Sequence, residues 1–544
     1  MSPLRPKTHL DTHEVLNQPP PFEDVNLFTS DRALLAAVAA AGADLHREKL
    51  AAFGARVGSA EVQEWAFAAN RNPPQLRSFD RFGGRLDEVE FHPAYHHLMA
   101  LGIGAGIASV AWSGIPAGHV LHAALAFLMS EAEPGVCCPI TMTYAGAALL
   151  RHEKGVSPLW SEKILTRCYD PSSRPAPLKA GITLGMAMTE KQGGSDVRAN
   201  TTRALPAGNG RYRLRGHKWF CSAPMSDGFF TLAYTAKGLS CFLAPRWTET
   251  GARNAIEIMR LKDKMGDRAN ASAEIEYHDA EAWLVGEDGQ GISTIIEMVH
   301  HTRLDCIVAP AAYMRQAVAN ALWHTSHRTA FQKKLIDQPL MRQVLADLVI
   351  ESEAATALAF RVAASFDDGG PEARHFARIA TPVAKYWINK RVVALVYEAM
   401  EGHGGGGYIE ESVMPRLFRQ SPLNSIWEGS GNVICVDVLR ALARNTQAGE
   451  ALSIELDRGR GSDARLDRAI DEAKNALLRP DEAQARRLVE RLALALQGSV
   501  LARTAPAFVI EAFCATRLVE WPGLTFGASP SRIAADALIA RAMP

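Results

Sequence analysis

The spacing of apolar positions changes three times along the chain. After a proline-rich start, in which Gln18-Pro19-Pro20-Pro21 forbids a helix, an alanine-rich run opens at Ser30-Asp31, a natural N-cap, and keeps a helical period through Phe53. Further helical patterns cover Pro93–Ile107 and Ala117–Ala132, so residues 31–180 are expected to form an α-helical domain. From Gly181 to about Asp288 the period falls to two. Short runs at Phe229–Tyr234, Ser240–Leu243 and Ala273–Tyr277 are separated by Gly, Asn and Asp turns, the pattern of a β-domain over 181–290. Helical period returns at Ile292 and lasts through Arg444, with long segments at Leu340–Phe366 and Glu372–Met400, which predicts a four-helix bundle over 291–445. Residues 446–544 add a further helical region whose clearest segments are Asp463–Leu478 and Pro480–Gln497. Residues 1–30 are then an extended arm, of a kind that often lies on a neighbouring subunit.

Composition narrows the class. The 544 residues give room for three or four domains at roughly 100–200 residues each. Lysine plus arginine balance aspartate plus glutamate, 59 against 59, so no global field draws the chain to nucleic acid or to a membrane surface. No apolar run is read as approaching the ~20 residues that cross a bilayer, and Met1-Ser2-Pro3-Leu4-Arg5-Pro6 lacks the apolar core of a secretory signal. The expectation is a cytoplasmic protein with no membrane contact. Eight cysteines form no C-x-x-C pair and predict neither a disulfide framework nor a zinc site. His92, His96 and His97, with Glu90 close by, invite a metal reading, but Pro93 is placed to open a helix and leave His92 outside it. These and His300-His301 are read as surface or helix-face histidines, and no metal is expected.

The candidate chemistry begins where a strand-like run ends. Ile182, Leu184, Met186 and Met188 alternate with smaller residues and lead into Thr189-Glu190-Lys191-Gln192-Gly193-Gly194-Ser195-Asp196. Adjacent glycines let successive N–H groups point at one anion, with the Thr189 and Ser195 hydroxyls beside it. On the residues alone an ordinary strand-to-loop turn fits as well. A second turn, Glu428-Gly429-Ser430-Gly431, presents a carboxylate just before a helix that starts near Asn432. Its apolar neighbours Ile426 and Trp427 would desolvate the carboxylate and raise its pKa toward a value useful for proton abstraction. Capping that helix is the plainer role for a carboxylate there.

In their order along the chain these strings resemble the acyl-CoA dehydrogenase family. Ala187–Ala199 resembles its flavin-binding signature, and Lys218-Trp219-Phe220-Cys221-Ser222 the segment in which an aromatic ring covers the flavin. Arg328-Thr329-Ala330-Phe331 resembles the pair that reaches the adenine dinucleotide of a neighbouring subunit. Glu401–Tyr408 and Ile426–Asn432 resemble the family's C-terminal glycine turn and its catalytic-glutamate turn. The resemblance covers about residues 50–445. It implies an α+β fold of the acyl-CoA dehydrogenase type, helical domain, β-domain and helical bundle, with FAD as cofactor. It further implies that Met188 and Thr189 face the flavin ring, that Gly194 and Ser195 hold its pyrophosphate, and that Phe220, Cys221 and Ser222 lie against the isoalloxazine. Arg328, Phe331, Ile426, Trp427, Ser430 and Asn432 would complete the cofactor site. Glu428 would be the base that takes the α-proton of an acyl thioester.

The arm, the C-terminal extension and strings such as Cys138-Pro139-Ile140-Thr141-Met142-Thr143 further resemble the AidB-like subgroup, which is tied to the bacterial adaptive response to DNA alkylation. That implies weak dehydrogenase activity on short or branched acyl-CoA, a symmetric homotetramer, and double-stranded DNA bound through 446–544. The alternative is a flavin-containing protein that binds DNA and protects it from alkylating agents without dehydrogenase turnover. Arg458, Arg460, Arg465, Arg468, Arg486, Arg487 and Arg491 could form a DNA-facing stripe, although a comparable number of acids makes surface pairing the plainer expectation. Two positions depart from the family pattern. Gln332 stands where glycine is usual, and Gln420 where an acid is common, which should leave Arg416 and Arg419 less neutralised. Acyl-chain length is expected to depend on helix packing near Leu101 and Ile295.

Overall fold

The computed structural model describes residues 6–151, 153, 155–478, 480–529 and 533–544, so residues 1–5 of the expected arm lie outside the described residues. Helices α1 (Arg32–Ala40), α2 (Arg47–Val57) and α3 (Ala60–Arg71) open the fold, and the Asp31 carboxylate caps the first by accepting from the N–H groups of Ala33 and Leu34. The single helix expected from Ser30 to Phe53 is instead broken after Ala40, because Gly42 turns the chain at φ +81°. A hairpin of β1 (Gln75–Phe79) and β2 (Arg85–Glu90) also interrupts the region expected to be all helix. Leu76, Leu86 and Val89 are too few among charged neighbours to mark a period of two.

Helices α4 (Pro93–Ala105), α5 (Gly118–Ala132), α6 (Pro134–Leu150) and α7 (Pro158–Ile164) follow. His92 is the N-cap of α4 and Pro93 its first residue. The stretch Pro93–Trp112 reaches, by length and composition alone, what a membrane-crossing helix needs, which corrects the expectation that no run approaches 20 residues. In this fold α4 stops at Gly106, φ +92°, and buries Tyr95, Leu98 and Met99 in the core.

Strands β3 (Leu184–Ala187), β4 (Arg203–Gly208), β5 (Arg211–Ser222), β6 (Gly228–Tyr234), β7 (Leu239–Pro245), β8 (Ile256–Leu261) and β9 (Ser272–Val285) form one sheet in the order β3-β5-β4-β6-β7-β9-β8. Parallel pairing of β3 with β6, and antiparallel pairing of β5 with β9, close the sheet on itself. Closure sets Met186 opposite Ser222, so the glycine turn leaving β3 starts beside the end of β5.

The bundle comprises α8 (Gly291–His327), α9 (Pro339–Asp367), α10 (Pro371–Glu401), α11 (Val413–Gln420) and α12 (Gly431–Arg444), with a two-residue-strand hairpin, β10 (Thr329–Ala330) and β11 (Lys333–Lys334), between α8 and α9. The extension forms α13 (Thr446–Asp457), α14 (Ala464–Leu477), α15 (Ala485–Thr504), α16 (Ala507–Arg517) and α17 (Ala535–Ala542). Helix α15 starts later than the expected Pro480 because Glu482–Gln484 is a tighter 3₁₀ turn. The extension shares the bundle's core: Leu452, Leu492, Phe513 and Leu538 are buried in one cluster with Val349, Phe360 and Trp387. Trp387 donates to Gln497 at 2.9 Å, and Arg517 and Arg541 reach back to Glu351 and Glu353, each at 2.9 Å.

The arm lies on its own chain. Trp323 Nε1 donates to Pro20 O at 2.8 Å, the Phe22 ring sits 5.5 Å from that of Trp323, and Asn17 bonds both main-chain groups of Thr329.

Candidate functional site

Two helices build a cavity. Pro134, Cys137, Cys138, Thr141 and Met142 recur at i, i+3, i+4, i+7 and i+8 on α6, and Thr302, Asp305, Cys306, Ala309 and Tyr313 run down one face of α8. Between them lies a cavity of about 70 Å³, closed by Met186 and Ser222 from the sheet and by Gln420, Asn424, Trp427 and Glu428 from the segment before α12. Its depth is therefore set by α6 and the middle of α8. Leu101 and Ile295, the positions expected to govern it, are not among its walls.

Glu428 sits at φ +56° and Gly429 at φ +104°, consecutive left-handed residues at the cavity wall. Two cations clamp the turn through its main chain. Lys385 Nζ donates to the carbonyls of Asn424, Trp427 and Gly429 at 3.0, 3.0 and 2.8 Å, and Arg303 Nε donates to that of Glu428 at 3.0 Å. Arg303 is itself tied to Asp437 at 2.8 Å. Burial pushes the Glu428 carboxyl above its ordinary value, and the charges of Arg303 and Lys385 with the Thr302 hydroxyl only partly offset that. The N-cap of α12 is Ser430, so helix capping does not occupy the Glu428 carboxylate.

The glycine turn is anchored by a residue pair whose role the sequence left unread. Glu190 and Lys218 are wholly buried, 2.8 Å apart. The Glu190 carboxylate also accepts from the N–H groups of Thr201 and Thr202, while Lys218 Nζ donates to Leu232 O at 2.7 Å. Burial works against ionisation of Glu190, but Lys218 and these donors hold its pKa down to about 2. Main-chain bonds between Glu190 and Gly193 tighten the turn, and a Cβ on Gly193 would meet Asp196 O at 2.5 Å. Gly194 and Ser195 are left exposed at its tip.

Around that turn the expected cofactor residues are placed unequally. Thr189 O accepts from Trp219 N–H at 2.8 Å, and Met188 O accepts from Asn200. A register shift between Lys218 and Cys221 lets Trp219 and Phe220 both face outward, 38% and 42% exposed, with Lys262 Nζ 4.6 and 4.7 Å from their rings. Ser222 lines the cavity, whereas the Cys221 side chain turns into the sheet core, so a contact from that residue to a cofactor goes through its main chain. Trp427 is in the cavity wall; Ile426 and Asn432 are exposed.

Arg328 and Phe331 are elsewhere. Arg328 follows Thr302 by 26 positions along α8 and its C-cap, about 39 Å at helical rise, which puts it out of reach of the cavity in its own chain. The Arg328 guanidinium donates to Asn17 O at 2.6 Å, and Phe331 is 93% exposed. Phe331 and Gln332, at φ +51° and +65°, are the two central residues of the β10–β11 hairpin, which explains why glycine is the usual residue where Gln332 stands. Gln420 does not leave its neighbours unpaired as expected: Arg416 pairs with Glu133 at 3.4 Å and Arg419 with Glu410 at 2.5 Å, while Gln420 Oε1 accepts from Asp267 N–H.

The histidine pair His300-His301 is not on an open helix face. His300 stacks on Phe366 and His301 packs against Trp112, and burial lowers them to about 3 and about 4. Among the described residues no group of three or more His, Cys, Asp or Glu is placed to hold a metal ion. Of the arginines considered as a stripe, Arg458, Arg460, Arg465 and Arg491 each pair with an acid, and Arg486 donates to the Tyr386 hydroxyl.

Comparison with known proteins gives three family matches in chain order. The Adaptive response protein AidB N-terminal domain matches residues 17–171, the acyl-CoA dehydrogenase middle domain 185–280, and the acyl-CoA dehydrogenase C-terminal domain 289–443. The chain is 44% identical over 515 residues, 94% of its own length and 95% of the other's, to AidB of Escherichia coli (strain K12), which its name assigns to the acyl-CoA dehydrogenases. It is 31% identical over 447 residues, 79% of its length and 72% of the other's, to acyl-CoA dehydrogenase family member 11 of Caenorhabditis elegans. Among solved structures it resembles Caenorhabditis elegans ACDH-11 in complex with C11-CoA, with TM-score 0.84, 25% identity and 95% of each chain covered. The fold of a Bacillus anthracis acyl-CoA dehydrogenase complexed with FAD also matches, with TM-score 0.63, 16% identity, and 85% of this chain and 86% of that one covered.

Proposed function

The chain belongs to the acyl-CoA dehydrogenase family, within its AidB-like group, and on that premise we propose that this FAD-dependent enzyme oxidises short-chain acyl thioesters at the Cα–Cβ bond. The observation that carries the reading is a half-buried carboxylate, Glu428, held in a strained turn at the wall of a cavity of about 70 Å³. At roughly 10–15 Å³ per water-sized group, that volume suits roughly five to seven non-hydrogen atoms.

The residues fit FAD: the glycine turn offers exposed main chain where a side chain would intrude, and Trp219 and Phe220 offer an open aromatic face beside Ser222. FAD supplies the acceptor for the β-hydride when bound. Thr189, Gly194 and Ser195 would hold it at the turn, and Phe220 and Ser222 at the sheet end. Glu428 would take the α-proton, with the low-polarity wall keeping water from competing.

Anaerobic titration with a series of acyl-CoAs tests this. Thioesters of about four to six carbons should bleach the flavin band at least tenfold faster than a twelve-carbon one, consistent with roughly 1–3 kcal/mol per misfitted methylene. No bleaching by any member, in protein that retains FAD, would overturn the dehydrogenase reading. The same enzyme should show an acid limb in kcat/KM above the ordinary carboxylate value of 4.5, because the proton leaves a desolvated Glu428 only at higher pH. A limb at or below that value would remove desolvation as the cause.

We read Arg328 and Phe331 as serving another subunit's FAD, in a homotetramer. Support comes from their separation from the cavity and from the exposure of Phe331 and Tyr408. Phe331→Ser should then lower FAD content and shift the sedimenting species to fewer chains. Unchanged FAD content and mass would dismiss this role.

The similarity to AidB supports a second reading, in which residues 446–544 bind double-stranded DNA as part of an alkylation response. The pairing of the stripe's arginines leaves few free cations for phosphates, so retention of a short duplex should be weak and should fall with rising salt along the shallow slope of a few phosphate contacts. Binding insensitive to salt would exclude a phosphate-directed mode.

A further inference from the structure

We infer that Asp305 makes this cavity selective for an acyl chain bearing a neutral hydroxyl, in preference to a plain hydrocarbon chain of the same length. The inference rests on the acyl-thioester reading above and names the substrate class that the cavity takes.

Asp305 lines the cavity one helical turn beyond Thr302, the residue whose hydroxyl serves Glu428. The rise between them is about 4.5 Å, so a chain whose α-carbon faces Glu428 reaches Asp305 roughly four bonds further on. The carboxylate is held on two sides. Thr141 on the facing helix donates to Oδ2, and His122 Nε2 lies 2.8 Å from Oδ1. His122 is fully buried, stacked on Tyr144 at 3.6 Å between ring centres, with Nδ1 2.7 Å from Ile107 O. A carboxyl group at this depth among Cys137, Cys138, Cys306 and Ala309 is out of keeping with a cavity built only for methylenes.

The two carboxyl oxygens carry about four lone-pair sites, and the contacts with Thr141 and His122 use two. Asp305 is one of the cavity's lining residues, so a donor on a bound chain can use the remaining capacity. A methyl group pressed against it would strip the carboxylate of water and return nothing, while a hydroxyl would replace that water with a hydrogen bond. A chain ending in its own carboxylate would set acceptor against acceptor. The His122 ring already lies against Oδ1, so a neutral donor suffices to complete the carboxyl's partners.

The matched probes are 5-hydroxypentanoyl-CoA and hexanoyl-CoA, which differ by oxygen for methyl at the fourth bond beyond the α-carbon. Affinity is read from the perturbation of the flavin spectrum in holoenzyme carrying Glu428→Gln, and turnover from anaerobic bleaching of the native holoenzyme. The hydroxylated thioester should bind about tenfold or more tighter, and Asp305→Leu should reverse the preference. Should Asp305→Leu fail to fold with His122 and Thr141 unpaired, Asp305→Asn keeps the shape and should cut the preference by at least half. Equal or tighter binding of hexanoyl-CoA by the unaltered cavity overturns the inference while leaving the dehydrogenase reading intact. Failure of both thioesters to perturb or bleach the flavin overturns both.

Discussion

Replacing Glu428 with glutamine is expected to lower the rate of thioester-dependent flavin bleaching by at least about 10³-fold while FAD content and the visible spectrum stay unchanged. The argument is local. The two cations that shape the turn, Lys385 and Arg303, bind main-chain oxygens of residues 424, 427, 428 and 429, not the Glu428 carboxylate. Glutamine keeps the side-chain volume, and the left-handed backbone of this turn costs glutamine no more than glutamate. What is lost is the basic oxygen, and with it the one titratable side chain that this turn brings to the cavity wall among the described residues. Stopped-flow bleaching under anaerobic conditions measures the effect. Turnover within tenfold of the native rate would move the base elsewhere, and Asp305, the other carboxylate in the wall, would be the next to test.

Lys218→Met is expected to destabilise the protein by about 3–5 kcal/mol and to release FAD, because it strands the Glu190 carboxylate without its cation inside the sheet. Glu190 is the hub of the turn, joining Lys218, Gln192, Thr201 and Thr202. Losing its partner should loosen Gly193 to Ser195, the main chain proposed to hold the cofactor. Denaturant midpoints and bound-FAD ratios would record both effects. A variant that keeps its midpoint and its FAD would show that the pair contributes little. The same pair sets an acid limit. Glu190 is held at about 2, below its ordinary 4.5, so the stability it contributes is complete above the ordinary value and drains as pH falls toward about 2.

Much of the site was legible because its parts are contiguous. Ala187–Ala199 and Ile426–Asn432 are single turns, and a turn's chemistry is spelled by adjacent residues. The carboxylate of Glu428 was read with its desolvating neighbour Trp427, and both stand in the cavity wall. Cys221 stands in one string with Phe220 and Ser222, but the period-two alternation of β5 turns its side chain to the opposite face, into the sheet core. Lys218 lay inside a string already quoted, yet nothing in its flanks signals a cation with a buried partner 28 residues away. The hairpin β1–β2 was missed because charged residues outnumber the apolar ones that would mark its faces.

By itself the sequence determined the succession of helical, strand and helical regions and the two turns, since periodicity and turn residues act over a few neighbours. Tertiary structure alone decided what those regions enclose. Thr141 and Asp305 are 164 positions apart and meet because α6 and α8 pack face to face; Lys385 reaches a turn some forty residues ahead of it because α10 passes beneath. The same length of α8 that gives the cavity one wall carries Arg328 about 39 Å away from it, out of that cavity's reach. Spacing along the chain says which face of a helix is apolar, but buried charges find partners only once the packing has chosen which faces meet.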